Sequence, residues 1–274
     1  MRFTVFVGID QAGAANKSGK PKPLPAAIVT PAGRQLLLSV SSLKGLTKES
    51  IDSFVENENL ELTRSGELAI IVDCVLGLPE EVFPKGDTLF DLFHQANVYK
   101  HEGRAHGREV AYEFFKQFLD GREENDHPRR QCEHLAKANS VFALRPYQKN
   151  VGCGTFRIWK ELGSKNKWFH LWPTERLSLV FPTIFEGYPS LIWKKIFGMK
   201  SRKPKELIEA AEKKLGIEIA VSESTRTLIE KNPNYADAAA LALGAYYLQE
   251  CDDLTSTSDI PDKAKEGWIV GLKP

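Results

Sequence analysis

Two aspartates stand directly after apolar runs of the sequence. Asp10 follows residues 4–9 and Asp73 follows residues 68–72. Neither run alternates with polar residues, which predicts strands that are buried on both faces. A carboxylate at the end of a buried strand is costly to desolvate unless a hydrogen-bonding turn or a metal ion compensates it. Each aspartate is therefore a turn residue or a ligand, depending on whether other carboxylates meet it.

Two further acids occupy comparable positions. Glu186 follows an apolar strand predicted at 177–185, where Pro182 indicates an edge, a bulge or a split. Asp237 is expected in the first turn of the last helix, where the helix dipole favours a negative charge. Capping of that helix is the alternative role for Asp237.

Convergence of these four carboxylates would have a specific chemical consequence. They would repel one another, and their pKa values would rise unless cations bind. Oxygen ligands without histidine or cysteine suit Mg²⁺ or Mn²⁺ and disfavour zinc. Two such ions about 4 Å apart can activate water and stabilise the leaving oxygen of a phosphodiester.

The predicted elements bring several of these acids together. Three strands, separated by a loop and a tight turn, are predicted at 4–9, 26–30 and 35–40. A helix opening at Thr47 then leads to the strand at 68–72. Because such strand–helix–strand crossovers are right-handed, they set parallel strand ends side by side. Asp73 is therefore expected beside Asp10.

The last helix is apolar all round between residues 238 and 248, which predicts that it is buried. Its alanines and Gly244 would let it lie close to the sheet. Residues 80–165 do not continue the alternation of predicted strands and helices, so we predict a helical insertion there. We therefore expect a single α/β domain over residues 1–274, with three antiparallel strands, then parallel strands, flanked by helices.

Several basic and glycine residues are candidates for binding an anionic substrate. Lys17 and Lys20 lie in the loop after Asp10, and that loop is either solvated or in contact with phosphate. The short basic helix at 129–137 either faces a polyanion or is a solvated surface. The glycine-rich turn before the helix at 156–162 could hold an anion on free backbone N–H groups, although it lacks the Walker spacing. The residues concerned are Arg129, Arg130, Lys137, Gly152, Gly154 and, in a later basic stretch, Lys194.

Composition narrows the class of protein only slightly. The 37 basic and 36 acidic residues give a net charge of +1, so no global charge indicates nucleic acid or membrane. The four cysteines have no paired spacing and indicate reduced thiols in a cytoplasmic protein. The first apolar run is too short for a signal peptide or a membrane span, so no membrane partner is expected.

The order of the motifs resembles the ribonuclease H-like superfamily. The chain is most similar to an uncharacterised family of predicted nucleases in that superfamily. The similarity extends over nearly the whole chain. It rests on residues 8–10, 71–73 with 77–79, 140–142, 151–155, 172–173, 185–191 and 235–240.

This resemblance implies a ribonuclease H-like mixed sheet, with Asp10, Asp73, Glu186 and Asp237 as catalytic and metal-binding residues. It implies a hydrolase that uses Mg²⁺ or Mn²⁺ on nucleic acid, whether DNA or RNA. The family often has further acids around the last motif, whereas this chain has Asn232 and Asn234 there. A single-metal site therefore stays open.

Two other classes of protein are alternatives to the nuclease. A non-catalytic nucleotide or nucleic-acid binding module of the same fold would keep the carboxylates as structural groups. A sugar-kinase-like phosphotransfer protein would need two duplicated halves, and this sequence shows no second half. Metal binding at Asp10 and Asp73 discriminates an enzyme from a binding module.

Overall fold

The described part of the chain folds around one mixed sheet. The computed structural model describes residues 2–11, 21–58, 65–119, 127–143, 151–164, 166–256, 260 and 266–273. Within them the sheet order is β5-β6-β4-β1-β2-β3-β7. The strands are β1 (Val5–Ile9), β2 (Leu24–Ala32), β3 (Gln35–Leu43), β4 (Leu68–Val72), β5 (His170–Leu171), β6 (Thr183–Glu186) and β7 (Glu218–Val221).

Strand direction follows the predicted pattern. β2 is antiparallel to both of its neighbours, β1 and β3, whereas β4 is parallel to β1 and β6 is parallel to β4. The outer strands β5 and β7 are also parallel to the strands they join. The protein is thus α/β, with an antiparallel part followed by a parallel part, as predicted.

Helices cover both faces of the sheet. They are α1 (Lys48–Asn57), α2 (Leu89–Val98), α3 (Arg108–Lys116), α4 (Gln131–Ala136), α5 (Val151–Leu162), α6 (Pro189–Leu191), α7 (Leu207–Leu215), α8 (Glu223–Lys231) and α9 (Pro233–Glu250). Side chains from α1, α2, α3 and α5 pack on one face, here called the α5 face. Side chains from α6, α7 and α9 pack on the other, here called the α9 face. Alternation along β1 sends Ile9 to the α5 face and Phe6 to the α9 face.

The last helix, α9, lies directly on β1. A Cβ on Gly8 would stand 2.0 Å from the carbonyl oxygen of Ala238 and 2.7 Å from the backbone nitrogen of Ala242. Only a residue without a side chain permits so close an approach of helix and strand backbones. This contact fixes the height of α9 above the end of β1, and with it the position of Asp237.

Some sequence-based boundaries are wrong. The strand predicted at 177–185 is restricted to Thr183–Glu186, after Pro182. The short β5 and β7 were not predicted, since two and four residues carry little periodic signal. Near the end of the described chain, Ile269 makes an isolated parallel bridge with Glu186.

The region predicted as an insertion contains α2, α3, α4 and α5. Side chains from α2, α3 and α5 share a hydrophobic cluster with β1 and β4. Among the described residues, no helix combines the length and apolar character needed to cross a bilayer.

Candidate metal centre

Asp10 and Asp73 lie next to each other at one edge of the sheet. Ile9 is paired in parallel with Val72, and the backbone N–H of Asp73 donates to the Ile9 carbonyl at 2.9 Å. The ladder therefore continues one residue beyond each strand. Because Ile9 and Val72 both point to the α5 face, the following residues Asp10 and Asp73 point to the α9 face.

The two carboxyl groups share a hydrogen bond. Burial of Asp73, the charge of Asp10 and that side-chain hydrogen bond, in this order, raise the pKa of Asp73 well above its ordinary value. The charge of Asp237 raises it further, whereas Arg202 lowers it. Two carboxylates in hydrogen-bonding contact repel each other when both are ionised, so burial beside Asp10 favours the protonated form of Asp73 in the absence of a cation.

Asp237 approaches the pair from α9. Its Oδ1 accepts a hydrogen bond of 2.7 Å from the Trp193 indole nitrogen, and its Oδ2 is paired with the Arg202 guanidinium. Burial raises the pKa of Asp237, although Arg202 and Trp193 oppose this rise. The side chain is thus held toward the end of β1 and β4 by two donors that were not predicted.

The expected first-turn position of Asp237 is wrong. Helix α9 begins at Pro233, and Asn232 caps it by accepting from the Asn234 N–H at 3.0 Å. Capping therefore does not explain Asp237. A buried aspartate in the second turn, held by a tryptophan and an arginine, points instead to a role at the sheet edge.

Glu186 does not join the three aspartates. It is the last residue of β6 and is paired with Val72, whose side chain points to the α5 face. Its Oε2 accepts from Arg130 Nη1 at 2.7 Å and from the Leu76 N–H at 2.8 Å. The residue level with Asp73 is Gly187, which has no side chain to offer. The expectation that Glu186 belongs to the acidic cluster is corrected by this register.

Arg130 is not placed to bind an anionic substrate, the role that the sequence predicted for it. It is fully buried, and its Nε donates to Glu133 Oε1 at 3.0 Å while Nη1 also donates to the Glu266 carbonyl at 2.8 Å. A guanidinium enclosed by Glu133, Glu186 and a backbone carbonyl has no donor facing a substrate. This expectation is corrected: Arg130 ties α4 and the segment at 266–270 to β6.

The glycines also have a packing role. Gly152 and Gly154 lie inside α5 rather than in a turn ahead of it. A Cβ on Gly154 would stand 1.5 Å from the Gln11 Oε1 atom, directly after Asp10. Gly154 therefore lets α5 approach the end of β1. The anion-binding turn expected here is absent from the described residues.

The remaining basic candidates that the structure describes lie on the surface of the protein. Arg129, Lys137 and Lys194 are exposed, and Lys194 lies on a π turn that continues α6 through residues Ile192–Ile196. Lys17 and Lys20 lie outside the described residues. In the part of the chain that the structure describes, Arg202 is the basic residue that contacts the acidic cluster. In the sequence it is one of several lysines and arginines after residue 191.

The donor set fits a hard divalent cation. Asp10, Asp73 and Asp237 offer carboxylate oxygen atoms, and the first two are in hydrogen-bonding contact, where a cation could take the place of a proton. The three carboxylates are not all within 4.8 Å of one another. Asp237 would have to move from Arg202 to complete a three-residue site.

Among the described residues, one group does meet that spacing: His101, Glu102 and Glu109. Both of its glutamates are more than half exposed, and Arg104 Nη2 already contacts them at 2.9 and 2.7 Å. A guanidinium thus supplies the positive charge there. The Asp10–Asp73 pair, which lies at the ends of two adjacent parallel strands, is the better candidate.

Comparisons with protein-family models, with curated proteins and with solved structures found no match for this chain.

Proposed function

We propose that this protein is a divalent-metal-dependent nuclease of the ribonuclease H-like class, which hydrolyses phosphodiester bonds in nucleic acid. The observation that carries the proposal is the placement of Asp10 and Asp73, whose carboxyl groups are hydrogen-bonded at the ends of two adjacent parallel strands. The sheet order, with an antiparallel part and a C-terminal helix carrying Asp237, supports the class.

The residues of the chain would divide the work as follows. Asp10 and Asp73 would hold Mg²⁺ or Mn²⁺, and Asp73 would release its proton as the cation enters. Asp237, oriented by the Trp193 indole, would add a third carboxylate after leaving Arg202. The bound cation would supply Lewis-acid activation of water and stabilisation of the leaving oxygen. Arg202, once released, would face the phosphate as a positively charged donor.

A non-catalytic nucleotide or nucleic-acid binding module is the second candidate. The pairing of Asp237 with Arg202 favours it, because that carboxylate is satisfied without a cation. In this case the aspartates would be structural, and binding of nucleic acid would not require metal.

Cleavage assays separate the two candidates. The chain is incubated with labelled single-stranded and duplex DNA and RNA and with a hybrid, in Mn²⁺, Mg²⁺ or EDTA. We expect metal-dependent cleavage of at least one substrate, loss of cleavage in Asp10→Asn and Asp73→Asn, and full activity in Asp52→Asn. Asp52 is a matched control because it is an exposed aspartate on α1 that pairs with Lys48.

Calorimetry with Mn²⁺ gives a second measurement. The nuclease proposal requires heat of binding that is lost in Asp73→Asn. Absence of both heat and cleavage would overturn it, and nucleic-acid binding in EDTA without cleavage in metal would establish the binding module.

A further inference from the structure

A cavity of about 640 Å³ lies beside the acidic cluster. It is bounded by the end of α4, by α6 with its π turn, and by the segment at 271–273. We call it the lysine cavity, after four of its lining residues, Lys137, Lys194, Lys195 and Lys273. Its volume is within the range of about 300–1,000 Å³ that small-molecule sites occupy.

The charged side chains in the described lining of the lysine cavity are all positive. No acidic side chain is among its described lining residues. Lys273 is paired at 3.0 Å with Asp253, which lies outside the lining. The ammonium groups of Lys137, Lys194 and Lys195 have no ion pair or hydrogen bond with the described residues. Three ammonium groups that pair with none of the described residues line one concave surface, and such a group of positive charges attracts phosphate groups.

The π turn connects this cavity to the proposed metal centre. It is closed by a hydrogen bond from the Phe197 N–H to the Ile192 carbonyl at 3.1 Å. The turn buries Trp193, which donates to Asp237, while it exposes Lys194 and Lys195. Such turns are frequent at functional sites because they redirect side chains within a helix.

Arg202 lies between the lysine cavity and the acidic cluster and contacts residues of both. Its Nη1 is paired with Asp237, and its Nη2 donates to Ser190 Oγ at 2.8 Å. Ser190 lines the lysine cavity. The cavity and the acidic cluster are therefore separated by the width of one guanidinium group.

Apolar atoms complete the lining. Tyr188, Leu191, Leu272 and Leu135 contribute to it, and Leu135 has 44% of its surface exposed. Aromatic and aliphatic side chains beside lysines suit unpaired bases, because a duplex hides the faces of its bases. A free inorganic anion would leave this surface without a partner.

We propose that the lysine cavity binds single-stranded nucleic acid, with phosphates on Lys194, Lys195 and Lys137 and an unpaired base against Tyr188 and the leucines. This deepens the proposed nuclease function, since it assigns a substrate class and the path of the strand next to the metal centre. It concerns binding alone and does not require cleavage.

The test compares two double variants, each of which replaces two consecutive lysines. Lys194→Gln/Lys195→Gln is compared with Lys213→Gln/Lys214→Gln, whose lysines are exposed in the last turn of α7. The affinity for a short fluorescein-labelled single strand is measured by anisotropy in EDTA across a series of salt concentrations. We expect the cavity variant to bind about tenfold more weakly and its salt slope to fall by about 1.4, since each contact with a single strand contributes about 0.7. The control variant should bind as the wild-type protein does.

Three results would overturn the proposal. They are wild-type affinity and salt slope in the cavity variant, absence of single-strand binding by the wild-type protein, and tighter binding of a matched duplex. Circular dichroism of both variants excludes misfolding as the cause of a loss. If the lysine cavity does not bind single strands, the protein can still show metal-dependent cleavage. If no cleavage is found, single-strand binding in EDTA is unaffected. The two proposals therefore fail separately.

Discussion

The carboxyl group of Asp73 is hydrogen-bonded to that of Asp10, and burial together with the Asp10 charge raises the pKa of Asp73 well above 3.8. The neighbouring backbone explains this proximity. Parallel pairing of Ile9 with Val72 sets the two following residues side by side and on the same face. When both carboxyl groups are ionised, their negative charges repel each other at this edge of the sheet, and a bound cation would relieve that repulsion.

Neutralising either member of this pair should stabilise the protein in the absence of metal. In Asp73→Asn the amide can donate to Asp10 as the protonated carboxyl does, without a proton that titrates. We expect the melting temperature in EDTA to rise by roughly 2–4 °C near neutral pH, the shift that about 1 kcal/mol produces in a domain of 150–250 residues. Asp10→Asn should act in the same direction, whereas the exposed Asp52→Asn should change little.

The pH dependence of this gain has a definite sign. Because the pKa of Asp73 is higher in the folded protein, the folded state binds more protons, and wild-type stability falls as pH rises from 3.8 to the folded pKa. The advantage of Asp73→Asn should therefore be absent below pH 3.8, grow through that window and then stay constant. Melting curves in EDTA that show both asparagine variants destabilised throughout would contradict the shared-proton interpretation.

Arg202 should act as a built-in competitor of the metal. Its guanidinium neutralises Asp237 and lowers the pKa of Asp73. In Arg202→Gln we expect Mn²⁺ to bind severalfold more tightly, because a positive charge near the cation is lost. Stability without metal should fall, because Asp237 loses its partner. Calorimetry measures the affinity, with Lys203→Gln as control, since that exposed lysine pairs with Glu206 instead. Weaker Mn²⁺ binding in Arg202→Gln would assign Arg202 a supporting role at the site.

Glu186 should behave as a structural residue. Arg130 is fully buried and Glu186 nearly so, and removing the Glu186 charge leaves the guanidinium with Glu133 as its one carboxylate partner among the described residues. Glu186→Gln should therefore lower the free energy of unfolding by about 3 kcal/mol, the lower end of the range for breaking a buried ion pair. Its Mn²⁺ affinity, measured where the variant is still folded, should stay within about twofold of the wild type. A large loss of affinity in a stable Glu186→Gln protein would return this residue to the metal centre.

The sequence predicted the centre of this site better than its surroundings. Asp10 and Asp73 were predictable because they depend on one crossover rule and on runs of apolar residues. Glu186 was assigned wrongly because a shift of one residue along a strand reverses the face of the side chain. An apolar run such as 177–185 does not reveal where pairing begins.

The basic residues show a different limit. Arg130 and Arg202 look alike in the sequence, since each lies in a run of lysines and arginines. Their roles depend on carboxylates distant in the chain: Glu186 for the first and Asp237 for the second. No local pattern encodes such pairings, so the burial of Arg130 and the contact of Arg202 with the acidic cluster emerged only from the structure.

The contact between Gly8 and α9 gives the last prediction. A methyl group at Gly8 would collide with the backbone of Ala238, which cannot yield as a side chain would. Gly8→Ala should therefore push α9 away from β1 and lower the free energy of unfolding by about 1–3 kcal/mol or more. Since Asp237 lies one residue before Ala238, its distance from Asp10 should increase, and Mn²⁺ affinity should fall along with stability. Gly86→Ala is the control, because its φ of +87° imposes backbone strain while nothing lies within 4 Å of the added methyl group. If Gly8→Ala matched Gly86→Ala in both stability and Mn²⁺ affinity, close packing of α9 on β1 would not set the geometry of the site.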